Sequence, residues 1–119
     1  MQAVTTVSER TAATTSGDSV SLICLRGDIS SASKEAMLGA YHKVGSTVSR
    51  VLLDFTGVDY INSSGIAIII QMLLEASKAE SRSIGIFGLS SHFHKVFNMV
   101  GISKYATIYE NEAAALAVA

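Results

Sequence analysis

Proline is absent from this chain, and with it the residue that most often punctuates linkers. No internal repeat is visible either, so residues 1–119 are expected to form a single domain with one modest core. Cysteine occurs once, as Cys24, which excludes an internal disulfide. It lies in the apolar run Val20–Leu25, where burial as a small hydrophobe is expected. Charge is scarce: 16% of residues are charged and the net charge is −1. No basic field exists to hold a nucleic-acid backbone, and no polybasic segment marks a membrane surface. Long hydrophobic runs are missing too. The longest, Ile66–Leu74, is broken by Gln71 and falls far short of the roughly 20 residues that span a bilayer, so no direct membrane insertion is expected. The Thr- and Ser-rich start has no basic segment before an apolar one, so no signal peptide is read. With 49% hydrophobic residues, bulk disorder is excluded. Composition points to a cytoplasmic, soluble, globular module.

What is present alternates between strand and helix. Residues Met1–Ser8 are weakly patterned, and Arg10–Thr15 is strand-tolerant. Ser16-Gly17-Asp18 signals a turn before a second strand, Val20–Leu25, which suggests an antiparallel hairpin. Arg26-Gly27-Asp28 is expected to leave that strand. Ser30–Ser33 is rich in capping residues, and Met37, Ala40, Tyr41, Val44 and Val48 recur at helical spacing, with a stop near Gly45-Ser46. Val51–Phe55 reads as a third strand. A helix from Ser63 or Ser64 to about Ala79 follows, apolar except for a stripe of Gln71, Glu75 and Lys78. Ser83–Phe87 is a fourth strand. Ser91 is placed to cap a third helix carrying Phe93, Val96, Phe97 and Val100, stopped by Gly101. Thr107–Tyr109 reads as a short edge strand, and Asn111 as the cap of an Ala-rich helical tail. The expected fold is α/β. A small mixed sheet of four to five strands opens with an antiparallel hairpin, continues as parallel βα units, and is flanked by about four helices.

Most catalytic chemistry finds no support. A nucleophilic serine needs a base and an orienter, and only His42, His92 and His94 are available. His92 and His94 are two apart on a helix and point to different faces; there is no G-x-S-x-G elbow. The same pair falls short of a metal site, so solvated histidines are expected. Neither glycine-rich phosphate-binding fingerprint occurs. Asp54 and Asp59 are expected around the turn after the third strand, Asp54 accepting a turn hydrogen bond and Asp59 in solvent.

One segment is left, Asp59-Tyr60-Ile61-Asn62-Ser63-Ser64-Gly65-Ile66. It places two hydroxyls where a strand hands over to a helix. Helix capping alone would explain Asn and Ser there. A phosphate would also be tolerated at that position, because the helix N-terminus favours negative charge. A partner docked over the turn would then meet new charge and bulk.

These residues resemble the STAS domain family, in particular bacterial anti-sigma-factor antagonists. Leu25-Arg26-Gly27-Asp28-Ile29 is similar to the family's L-x-G-x-[LI] strand end. Val51–Val58 is similar to its central strand and turn. Ile61-Asn62-Ser63-Ser64-Gly65-Ile66 is similar to its D-S-S-G-[LI] phosphorylation loop, and Phe97, Val100, Gly101 and Ile102 to its third helix and stop. The resemblance covers nearly the whole chain and implies a STAS-like fold. It implies a partner-switching cycle that regulates transcription: the unmodified chain binds an anti-sigma factor that is also a serine kinase, and sigma factor is released. The kinase, using ATP and magnesium, phosphorylates the antagonist and frees it; a serine phosphatase resets the cycle. The chain itself is then a binding module and substrate, not an enzyme, with no cofactor of its own, acting as a monomer or weak dimer. By motif position Ser63 is the phosphoacceptor, with Ser64 the alternative. Asp28, Ser30, Asp59, Asn62, Ser64, Gly65 and Ile66 form the partner-binding surface. Two positions depart from the pattern: Asn62 and Ser30 stand where the family usually has acids. An alternative is a non-phosphorylated STAS scaffold, such as a subunit of a lipid-transport ATPase or signalling complex. A small enzyme or nucleotide-binding α/β domain is a third possibility.

Overall fold

The structure, a computed structural model, describes residues 6–45, 47–78 and 82–117. Five strands, β1 (Thr6–Ala13), β2 (Ser19–Ile29), β3 (Arg50–Ile61), β4 (Ser83–Phe87) and β5 (Thr107–Tyr109), lie in one sheet in chain order. β1 is antiparallel to β2 and the other pairs are parallel, as expected of a hairpin followed by βα units. The helices are α1 (Lys34–His42), α2 (Ser63–Lys78), α3 (Ser91–Met99) and α4 (Glu112–Leu116), with 3₁₀ turns at Ser31–Ser33 and Ile102–Lys104.

Alternation along the strands divides the interior in two. Ile23, Leu25, Val51, Leu53, Phe55, Ile84 and Ile86 point to one face and pack against Met37 of α1, Ile69 and Met72 of α2 and Phe97 of α3. Val20, Leu22, Leu52 and Phe87 point to the other, where α4 is the one described helix that packs on them, through Ala115 and Leu116. α4 is held by Arg10, which pairs with Glu112, and by Leu116, whose carbonyl accepts from the Thr15 N–H at 3.0 Å. Hydrogen bonds to Glu112 and then to Cys24 hold the Arg10 guanidinium above its ordinary pKa.

Several expected boundaries move. β1 begins and ends earlier than Arg10–Thr15: residues 6–8 already pair with β2, while Thr14 and Thr15 belong to the turn. Residues 1–5 lie outside the described residues. Arg26-Gly27-Asp28 does not leave β2. The strand runs on to Ile29 through two register irregularities, with Gly27 at φ 85°. Pairing with an equally extended β3 overrides the local turn signal. Asp54 and Asp59 therefore lie within β3, not around a turn after it. Asp54 still accepts the Thr56 N–H at 2.8 Å, and Asp59 is exposed. α1 ends at His42, leaving Val48 in the connection, and Ser46 lies outside the described residues. α2 ends at Lys78, with Ala79 likewise outside. Ser90, not Ser91, caps α3, accepting the Phe93 N–H at 3.2 Å. Asn111 caps α4 as expected, and the tail after residue 117 lies outside the described residues. Cys24 is only half-buried, at the margin of the smaller cluster formed by Val20, Leu22, Leu52, Phe87 and Ala115.

Candidate functional site

β3 delivers the chain to α2 at a buried Ile61, and the next five residues form a tied corner. The Asn62 N–H donates to the Ile29 carbonyl at 3.1 Å, which anchors the corner to the end of β2. The Asn62 side-chain oxygen accepts the Gly65 N–H at 2.8 Å, and its carbonyl accepts the Ile66 N–H at 3.0 Å. Asn62 is thus the cap of α2. Gly65 lies directly on β2: a Cβ there would stand 2.6 Å from the Ile29 carbonyl oxygen. No larger residue fits this contact without moving the helix.

The cap leaves Ser63 and Ser64 as the first two helical residues, both exposed. The first four N–H groups of a helix have no intrahelical partner. Of these, the Asn62 N–H goes to Ile29 and the Gly65 N–H to the Asn62 side chain, while Ile66 makes the first intrahelical bond, so the N–H groups of Ser63 and Ser64 are the two left over. Ile66 is half-buried against the core behind them.

Ser30 serves the neighbouring turn. Its side chain accepts the Ala32 N–H at 3.3 Å, and its N–H donates to the Ser33 hydroxyl at 3.0 Å. This reciprocal box starts the 3₁₀ turn ahead of α1. Because Asn62 bonds to Ile29, Ser30 follows directly on a residue that touches the α2 corner. Asp28 is half-buried opposite Tyr60 in the β2–β3 register. The residues expected from sequence therefore gather at one end of the sheet, from two strand ends and two helix starts.

Tyr60 was not among the expected site residues. It is 56% exposed, and its ring packs edge-on to Phe93 at 5.9 Å. His92 stands against the same Phe93 ring at 4.8 Å. An exposed aromatic adjacent to the loop offers a partner apolar area beside the serines.

His92 and His94 are both exposed, and among the described residues no group of three or more His, Cys, Asp or Glu is placed to hold a metal ion. A surface depression of about 480 Å³ lies elsewhere, with Cys24, Arg26, Asp54 and Phe87 among its lining residues; it includes none of the loop serines. No described helix is long and apolar enough to cross a membrane.

A five-stranded mixed sheet with three helices on one face, and a capped Ser-Ser corner at the start of the second, define a STAS-type architecture. The family model described as Mlab, STAS domain matches residues 12–110, and the chain belongs to the STAS domain family. Among solved structures, an anti-sigma factor antagonist from Mycobacterium paratuberculosis is similar, with TM-score 0.73 and 16% identity over 93% of this chain and 92% of that one. The Bacillus cell fate determinant SpoIIAA in its phosphorylated form gives TM-score 0.62 and 17% identity over 91% and 96%. The murine anion transporter Slc26a9 gives TM-score 0.72 and 10% identity, over 94% of this chain but 22% of the transporter. At these identities the likeness is one of fold. No curated protein matches the chain in sequence.

Proposed function

We propose that this chain is an anti-sigma-factor antagonist, switched by phosphorylation of Ser63. The observation that supports it most is the division of labour at the α2 corner. Asn62 caps the helix through its own side chain, so the Ser63 hydroxyl is exposed and has no structural duty. A phosphate adds about −1.5 to −2 charges at neutral pH. At the first helical position that charge meets the positive end of the dipole and outward N–H groups, which stabilise it by about 0.3–1 kcal/mol. The fold accommodates the modification. A partner seated over Ser63, Ser64 and Tyr60 does not, because an unpaired charge in a desolvated contact costs about 2–5 kcal/mol. The switch then acts on binding and leaves the fold unchanged.

In this reading the partner is an anti-sigma factor with serine kinase activity, and ATP and magnesium are used by that kinase. A serine phosphatase restores the binding form. Asp28, Ser30, Asp59, Asn62, Gly65 and Ile66 frame the contact with Ser64. The neutral Asn62 and Ser30 lower the negative charge around Ser63, which makes an added phosphate electrostatically easier to hold but removes contacts for a kinase. Incubation with the kinase and ATP should add about 80 Da, one phosphoryl group, to the peptide containing Ser63. An unmodified peptide after exposure to a demonstrably active kinase rejects the switch.

A second reading has its own support. The matching family description carries the name Mlab and not that of an antagonist. The acids usual in the phosphorylation loop are missing at Asn62 and Ser30. Both favour a STAS scaffold that docks permanently through the same corner, as a subunit of a lipid-transport ATPase or signalling complex. Ser63→Asp separates the two: a scaffold keeps its ATPase partner in a pull-down, and a switched antagonist loses its kinase.

A further inference from the structure

From residue 81 to residue 109 the sequence contains no aspartate or glutamate, while it carries Arg82, Lys95 and Lys104. This stretch includes α3 and the turn that leads to β5. Around the end of α3, apolar side chains stand in solvent: Met99 is 84% exposed, Val100 46% and Tyr105 49%. Buried Phe97, Ile102 and Ala106 fix the backbone beneath them. Gly101, at φ 82°, turns the chain so that the end of α3 and the following 3₁₀ turn share one shoulder, with Lys104 close to Gly101. This shoulder is distant from Ser63. α3 starts after the carboxyl end of β4 and runs back to where β5 begins, whereas Ser63 follows the carboxyl end of β3, which is parallel to both.

Three large apolar side chains exposed within seven positions differ from the singly scattered residues that are normal on a surface. Methionine suits such a surface because its flexible thioether adapts to the partner. The absence of any acid in the stretch, with Lys95 and Lys104 exposed beside it, selects an occupant of negative charge. Two lysines give too little attraction for stable attachment to an anionic bilayer. An added strand finds only the three residues of β5 at this edge of the sheet. We propose that the shoulder of Met99, Val100, Lys104 and Tyr105 docks an acidic amphipathic helix of a partner protein. Its apolar stripe covers Met99, Val100 and Tyr105, and its flanking carboxylates meet Lys95 and Lys104. The contact is independent of the phosphorylation reading and lies at the opposite end of the molecule, so it holds a partner whatever the state of Ser63.

The test uses the full chain and a fluorescein-labelled designed helical peptide with a leucine stripe flanked by glutamates. A scrambled peptide of the same composition, and vesicles containing phosphatidylglycerol, are run beside it. Saturable binding of the ordered peptide is expected, with amide shifts concentrated between Met99 and Ala106. Met99→Asp and Tyr105→Ser should each weaken it about tenfold or more, as anchor residues do, while Ser63→Asp leaves it unchanged. Met99 is too exposed for its replacement to disturb folding, and a thermal unfolding scan confirms that the variant is intact. Equal binding of the scrambled peptide, amide shifts centred elsewhere, binding of vesicles but not peptide, or occupation of the shoulder by a second copy of the chain overturns the proposal.

Discussion

Gly65 and Ser64 are neighbours with opposite tolerances. A methyl group on Gly65 would meet the Ile29 carbonyl oxygen at 2.6 Å; the methyl is fixed to the helix backbone and the oxygen belongs to the strand backbone, so strain cannot be relieved by a rotamer change. Gly65→Ala is expected to cost about 1–3 kcal/mol, the usual range for overpacking. Ser64→Ala, at an exposed position, should stay within about 0.5 kcal/mol. Urea denaturation of the two variants reads the difference directly. Asn62 gives a second contrast. Asn62→Ala removes the acceptor of the Gly65 N–H and should cost about 1 kcal/mol, whereas Asn62→Asp keeps a cap and should leave the midpoint nearly unmoved. Much of this was legible beforehand, since Asn-Ser-Ser-Gly before an apolar helix is a capping sequence. What could not be read was the anchor at Ile29, because that contact joins residues 36 positions apart in sequence. The exposure of Tyr60 was hidden for the same reason: the sequence does not say which ring covers it.

At the scale of elements, local chemistry and tertiary pairing disagree in two places, and pairing wins both times. Gly27-Asp28 and Thr56-Gly57 are turn formers, yet they extend β2 and β3 side by side. Each strand gives the other its hydrogen-bond partners, and the register irregularities absorb the mismatch. This extension carries Asp28 and Tyr60 out to the serine corner, so the misread ends of the strands are the part that builds the site. The short elements β4 and β5 were legible to the residue, because each is a short run of strand-favouring residues between helical patterns. α2 owes its stability to burial. Ile69 is fully buried between sheet and helix, and Ile69→Ala should cost about 2–5 kcal/mol. α4 is held differently, by an exposed ion pair, the Thr15–Leu116 backbone hydrogen bond and the buried Ala115. Arg10→Ala should therefore cost no more than about 1 kcal/mol, and the loss should shrink as salt is raised. Thermal unfolding of wild type and variant at low and high sodium chloride measures both effects.

At the scale of the whole molecule, the proposed phosphoacceptor is set apart from the core. Residues that could bear a phosphate lie outside the hydrogen bonds that fasten α2, and the three core helices share a single apolar face of the sheet. Fold class, strand direction and helix number were all legible in the alternation of apolar patterns. The sequence did not reveal that, among the described residues, α4 alone of the helices packs on the second face, since the faces of a sheet become distinct only when the helices are placed. The central claim, that Ser63 controls partner binding while the fold stays intact, is tested by one measurement. The affinity of the kinase for the unmodified chain and for the chain phosphorylated at Ser63 is determined by calorimetry, with the unfolding midpoints of both forms as a check. The account predicts that phosphorylation weakens binding by about 30-fold or more, the equivalent of at least about 2 kcal/mol, with little change in midpoint. Equal affinity of the two forms, or loss of affinity accompanied by a collapsed midpoint, contradicts it.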